Sequence, residues 1–185
     1  MTEEININMI EQIKLHEQKK NHSIEVENLF QIKEHIGEIF ESEQIFISEE
    51  QVRKFLEVSG DANPIHFDRE QMSKSVLNEE ENDNIIVPGD LTYILTKNKK
   101  TLFEALKIKE STETISGEIN GMKWLRPVFA NSEVVYEYKL EKAEDVKIKS
   151  KLASKVTFGI NVYRIDNNKK IRCMKADYTV IYVSI

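Results

Sequence analysis

Residues 55–68 read FLEVSGDANPIHFD. An acid, an amide, a proline and an imidazole fall between Asp61 and His66, directly behind Ser59 and Gly60. The whole chain has only six glycines, three prolines and four histidines, so the crowding needs a reason. Turn chemistry supplies one, because Gly, Asp, Asn and Pro are common turn formers. Gly60 permits a backbone angle that other residues resist. Asn63 precedes Pro64 and is biased to an extended conformation, and its amide can bond the backbone and fix the loop. A helix end and an ordinary turn account for that much. Acid–base chemistry supplies a second reason: Asp61 and His66 both titrate, both can share one water, and Pro64 stiffens the turn between them.

Upstream, SEEQVRKFLEVSG (48–60) reads as a helix. Ser48 is the N-cap, Gln51 completes a capping box, and Gly60 closes the far end. Val52, Phe55 and Leu56 form its buried face. EIFESEQIFI (38–47) reads as a short strand. Residues 1–36 carry Met9, Ile10 and Ile13, then Val26, Leu29, Phe30 and Ile36, at spacings that fit two amphipathic helices broken near 21–23. They read as an N-terminal helical extension, with the main domain over 37–185.

Downstream, NEEENDN (78–84) reads as a solvated acidic loop. A central helix opens after Val87-Pro88-Gly89, with Leu91, Ile94 and Leu95 as its stripe. From about residue 112 the period changes to two. Four long strands follow at 114–129, 133–143, 151–165 and 171–185, with RIDNNKKI (164–171) as a hairpin turn. The expected fold is α+β: a curved antiparallel sheet around one long central helix.

Composition narrows the function. A chain of 185 residues, 40% apolar and 31% charged, is long enough for one domain with a real core. A net charge of −6 with no basic cluster argues against nucleic acid as partner. The lone Cys173 excludes an internal disulfide and a cysteine-rich zinc site. His16, His22 and His35 read as solvated, and none has metal-ligand spacing to His66, so no metal is expected. No apolar run approaches the roughly 18 residues of a membrane span. The acidic MTEEININMIEQ (1–12) lacks signal-peptide order, so the cytoplasm is the expected compartment.

Pro88-Gly89 ahead of an apolar helix is the second chemical feature. Free backbone N–H groups at a helix start can hold developing negative charge, although a plain helix start reads the same way. An acid–histidine pair with an anion-holding N–H is what addition of water across an α,β-unsaturated thioester needs.

The stretch SGDANPIH (59–66) resembles the hydratase signature of the MaoC-like family, which includes (R)-specific enoyl-CoA hydratases. Ser59, Gly60, Asp61, Asn63, Pro64, Ile65 and His66 fill its fixed positions. The resemblance extends upstream through IGEIFESEQIFISEEQVRKFLEVSG and downstream to KWLRPVFANSEVVYEYKLEK, roughly residues 36–184. It implies a hot-dog fold, a homodimer, and an acyl thioester substrate carried by coenzyme A or an acyl carrier protein. The carrier arm belongs to the substrate, and no separate cofactor is implied. The family roles fall on Asp61 and His66 as the pair that activates water, and on the Gly89 N–H as oxyanion donor. Gly60, Asn63 and Pro64 shape the site.

This chain departs from the family pattern in three places. It has Pro88-Gly89-Asp90 where the family often has His-Gly-Met. Its central helix lacks the glutamate of the acyl-carrier-protein dehydratases. Its acidic loop lengthens the link from His66 to Gly89. Lys97, Lys99 and Lys100, or Lys147, Lys149 and Lys151, are positioned to meet phosphates or an acidic carrier, though solvated surface lysines are their ordinary reading. The alternative function is a non-catalytic hot-dog subunit that binds acyl thioester or a partner protein. A thioesterase is a third reading.

Overall fold

A computed structural model describes residues 20–21, 23–78, 83–98 and 101–185. Four long strands carry the molecule: β6 (Thr112–Trp124), β7 (Ser132–Ile148), β8 (Lys151–Asp166) and β9 (Lys169–Ser184). Their pattern explains why they lie flat on a core. In β8, Val156, Phe158, Ile160 and Val162 are buried at every second position, and Lys155, Thr157 and Asn161 take the other face. The β8–β9 turn closes at the Asp166–Lys169 pair, with φ of +46° at Asn167 and +62° at Asn168. Two successive left-handed residues make the tight turn that matches strand twist, and asparagine tolerates that region.

Short strands complete the sheet: β1 (Lys20–Asn21), β3 (Ile39–Glu41) and β4 (Ile45–Ile47). The order is β1-β3-β7-β8-β9-β6, with β4 also on β7, and every pairing but β1–β3 is antiparallel. The expected single strand over 38–47 is thus two pieces, both laid along β7.

Helix α1 (Glu49–Ser59) has the expected capping box: the Gln51 N–H donates to Ser48 Oγ and the Ser48 N–H to Gln51 Oε1. Gly60 ends it at φ +70°. Helix α2 (Arg69–Ser73) follows the turn, capped by Asp68. Glu49 ties the two together, taking hydrogen bonds from Arg53 and Arg69, and these hold its carboxyl below the usual glutamate range.

The central helix starts at Gly89 as expected but is short. Helix α3 spans Gly89–Leu95, and the chain turns before α4 (Leu102–Ala105). Hydroxyl groups capture the carbonyls at its end. Tyr138 Oη donates to Thr96 O at 2.7 Å, Tyr136 Oη to Thr92 O at 3.2 Å, and Thr101 Oγ1 lies within 3.0 Å of the Leu95, Thr96 and Asn98 carbonyls. Hydroxyl donation from a neighbouring residue such as Thr101 competes with continued helix. The same tyrosines fasten α3 to the inner face of the sheet.

The first expected N-terminal helix and most of the acidic loop lie outside the described residues. The second expected helix is replaced. Ile24–Val26 is a strand, β2, parallel to β5 (Leu106–Ile108), and Leu29–His35 is a 3-10 helix. Ile24, Val26, Leu29 and Ile32 are buried in the same core as β7–β9. Long-range pairing with β5 overrides the local helical spacing here. The strand expected over 114–129 ends at Trp124, and 125–131 becomes a connection in which the Val87 N–H donates to Val128 O.

Candidate active site

Each step of 60–68 is held by its neighbour. The left-handed Gly60 bonds back to Leu56 O at 2.9 Å and turns the chain out of α1. Asp61 Oδ1 accepts from the Asn63 N–H at 2.9 Å, and Asn63 Oδ1 from the Ile65 N–H at 3.4 Å. Pro64–His66 forms one 3-10 turn, and Pro64 O accepts from the Phe67 and Asp68 N–H groups. Gly60, Asn63 and Pro64 therefore act on the backbone, as expected.

His66 is buried at 8% exposure. Its Nδ1 lies 2.7 Å from Ile86 O. A carbonyl can only accept, so Nδ1 carries the proton and, in the neutral ring, Nε2 presents a lone pair. Nε2 faces Asp61 Oδ2 at 3.7 Å. That gap is too long for a direct hydrogen bond and suits a shared water. The Ile86 N–H in turn donates to Ile65 O at 3.1 Å, so the ring and its acceptor are cross-braced.

His66 and Gly89 line one cavity of about 290 Å³, with Leu77, Thr92, Trp124 and Met174 among its walls. Asp61 does not itself line this cavity; its carboxylate is partly exposed beside the imidazole. The Gly89 N–H has no protein acceptor among the described residues. Asp90 is exposed and does not line the cavity. Lys97 lies over the rings of Tyr93 and Tyr178, at 4.8 and 5.0 Å from their centres, and Lys147, Lys149 and Lys151 sit around the β7–β8 turn. None of these four lysines lines the cavity. His35 bonds Glu38 at 2.9 Å, away from the site.

Trp124, Leu77, Thr92, Cys173 and Met174 are cavity residues that sequence reasoning missed. A usable signal was present for Trp124. Gly121 sits inside a period-two strand, and an isolated glycine there marks a bulge.

Residues 34–157 match the family described as FAS1-like, dehydratase domain region. No curated protein matches the chain. Among solved structures it is similar to the MaoC-like dehydratase from Rhodospirillum rubrum, at 16% identity and TM-score 0.60, over 81% of this chain and 93% of that one. The unliganded (R)-hydratase from Pseudomonas aeruginosa aligns at 20% identity and TM-score 0.56, over 78% and 79%. A monoamine oxidase regulatory protein from Archaeoglobus aligns at 17% and TM-score 0.64, over 88% and 98%. At these identities the likeness is one of fold. The family match covers most of the chain, including Asp61, His66 and Gly89, and on it the chain belongs to the FAS1-like dehydratase-region family, with the hot-dog fold of these structures.

Proposed function

We propose that the chain interconverts trans-2-enoyl and (R)-3-hydroxyacyl thioesters as a hydratase/dehydratase. One observation carries the reading. A histidine whose tautomer is fixed by Ile86 O points its basic nitrogen at Asp61, and shares a cavity with the unpaired Gly89 N–H.

In the hydration direction, a water between Asp61 and His66 loses a proton to the pair as its oxygen bonds to C3 of the enoyl group. The C2–C3 double bond electrons move toward the thioester, and the carbonyl oxygen takes on negative charge. The Gly89 N–H donates to that oxygen, an interaction stronger in the transition state than in the ground state. The enolate then collapses, C2 takes up a proton from the pair, and the sum is one water added. Dehydration is the reverse. The coenzyme A or phosphopantetheine arm enters as part of the substrate.

Mixing the protein with crotonyl-CoA tests this, because hydration removes the ultraviolet absorbance of the conjugated thioester. Decay at an enzymatic rate is expected. Unchanged absorbance over a panel of acyl lengths and both carriers would overturn the reading. A second reading, a non-catalytic acyl-binding subunit, is favoured by the indole packed against Gly89, and it would give binding without turnover.

We propose that the functional unit is a homodimer. Strand β6 is the last in the sheet order, and Ile115 and Ile119 on it are exposed. An open edge of this length asks for cover, and a second copy of β6 supplies it. Light scattering at micromolar concentration should give twice the 21.6 kDa chain mass. The mass of one chain would refute the dimer.

A further inference from the structure

Trp124 is the only tryptophan of the chain, and it follows a change of register in β6. Asn120 pairs with Asp177, but Lys123 pairs with Lys175, so β6 carries one residue more than β9 over this interval. Gly121, at φ +60°, makes the left-handed step that such a bulge uses. Residues paired directly across a sheet share a face. With the extra residue in place, Trp124 pairs with the fully buried Met174. Without it, Lys123 would take that position. The bulge delivers an indole, not an ammonium, to the inner face.

There the indole rests on Gly89. A Cβ built on Gly89 would come within 2.9 Å of Trp124 Cζ2 and 3.0 Å of Cε2. The two residues line the His66 cavity together. Trp124 is 48% exposed, so the ring is packed on one side only and forms the wall with room to shift.

Trp124 is thus part of the wall of this cavity of about 290 Å³, on the side of Gly89.

We propose that Trp124 determines acyl specificity: set against Gly89, its indole closes one wall of the cavity and limits the length of acyl chain that the site accepts. The inference rests on the acyl-thioester reading above. It concerns how long a chain fits rather than how water is added.

The test combines a binding probe with a turnover profile. Butyryl-CoA has no double bond to hydrate and serves as an inert ligand. Excitation at the red edge reports Trp124 alone, so butyryl-CoA, but not free coenzyme A, should shift or quench the emission. Calorimetry with butyryl-, octanoyl- and lauroyl-CoA gives affinities for wild type and for Trp124→Ala and Trp124→Phe. The matching trans-2-enoyl thioesters give kcat/KM.

Wild type should prefer the shorter chains. Trp124→Ala should improve the twelve-carbon ligand at least tenfold relative to the four-carbon one, chiefly through Kd and KM. Trp124→Phe should fall between and guards against loss of fold in the smaller variant. A chain-length profile identical in all three proteins would overturn the inference and leave the hydratase reading standing. Emission and affinity changes as described, without turnover of any enoyl thioester, would support the inference and remove the hydratase reading. No response to any acyl-CoA would overturn both.

Discussion

Asp61 Oδ2 stands 3.7 Å from His66 Nε2, while the other nitrogen of the same ring is tied at 2.7 Å to Ile86 O. The imidazole is thus anchored at one end and offered at the other. Asp61→Asn keeps the size of the side chain and removes its charge. His66→Ala removes the lone pair. Each should cut turnover of crotonyl-CoA by about 10²–10⁴-fold, the scale of losing a general acid or base. Steady-state kinetics on both variants, with circular dichroism to confirm the fold, checks this. Near-normal rates in both would remove the pair from the chemistry.

Gly89 and Trp124 should behave as a coupled pair. Gly89→Ala keeps the N–H but brings a methyl into the indole. The contact atoms all belong to the side chain of a half-exposed residue, so the ring shifts rather than the backbone, and the stability cost should be under the ~1–3 kcal/mol of core overpacking. Activity should fall more than stability. In a double-mutant cycle, Trp124→Ala should recover part of the Gly89→Ala loss, and strict additivity would argue against the contact.

Tyr138→Phe deletes the donor to Thr96 O at the end of α3. Thr101 Oγ1 also reaches that carbonyl, at 2.8 Å, so the carbonyl is not abandoned. The single change should cost about 1 kcal/mol. Combined with Thr101→Val the two costs should simply add, because the Leu102 N–H, at 3.3 Å, still donates to that carbonyl. Urea titrations of the four proteins give the comparison.

Stability should fall at alkaline pH. Burial pushes the hydroxyls of Tyr136, Tyr138 and Tyr182 well above the ordinary tyrosine range. In the unfolded chain they ionise near pH 10. Above that pH the unfolded state binds fewer protons than the native state, so unfolding becomes easier as pH rises. The contribution of these groups is intact below about pH 10 and is lost progressively above it. Denaturant midpoints from pH 8 to 11 should be level at first and then decline. A midpoint that rises through this range would contradict the assignment.

Features encoded within a few residues were legible in the sequence. The Ser48–Gln51 box, the Gly60 stop, the Asn167–Asn168 turn and the Asp61–His66 turn all lie in contiguous stretches, and each took its expected place. What escaped depended on distant partners. Ile24–Val26 is a strand because Leu106–Ile108 lies beside it. Helix α3 stops where hydroxyls from a strand some forty residues away, and from nearby Thr101, meet its last carbonyls. The role of Trp124 follows from a bulge that reverses which side chains face inward, and simple alternation along β6 cannot show it.

The family match begins at residue 34, but burial begins earlier. Ile24, Val26, Leu29 and Ile32 are each at most 3% exposed. At about 1.5–3 kcal/mol per buried aliphatic side chain, the four together contribute about 6–12 kcal/mol of hydrophobic stabilisation. That rivals the ~5–15 kcal/mol by which a whole domain is stable. A fragment begun at residue 34 would therefore keep every catalytic candidate and lose stabilisation on that scale. Residues ahead of the family match thus belong to the core on which the rest of the chain folds.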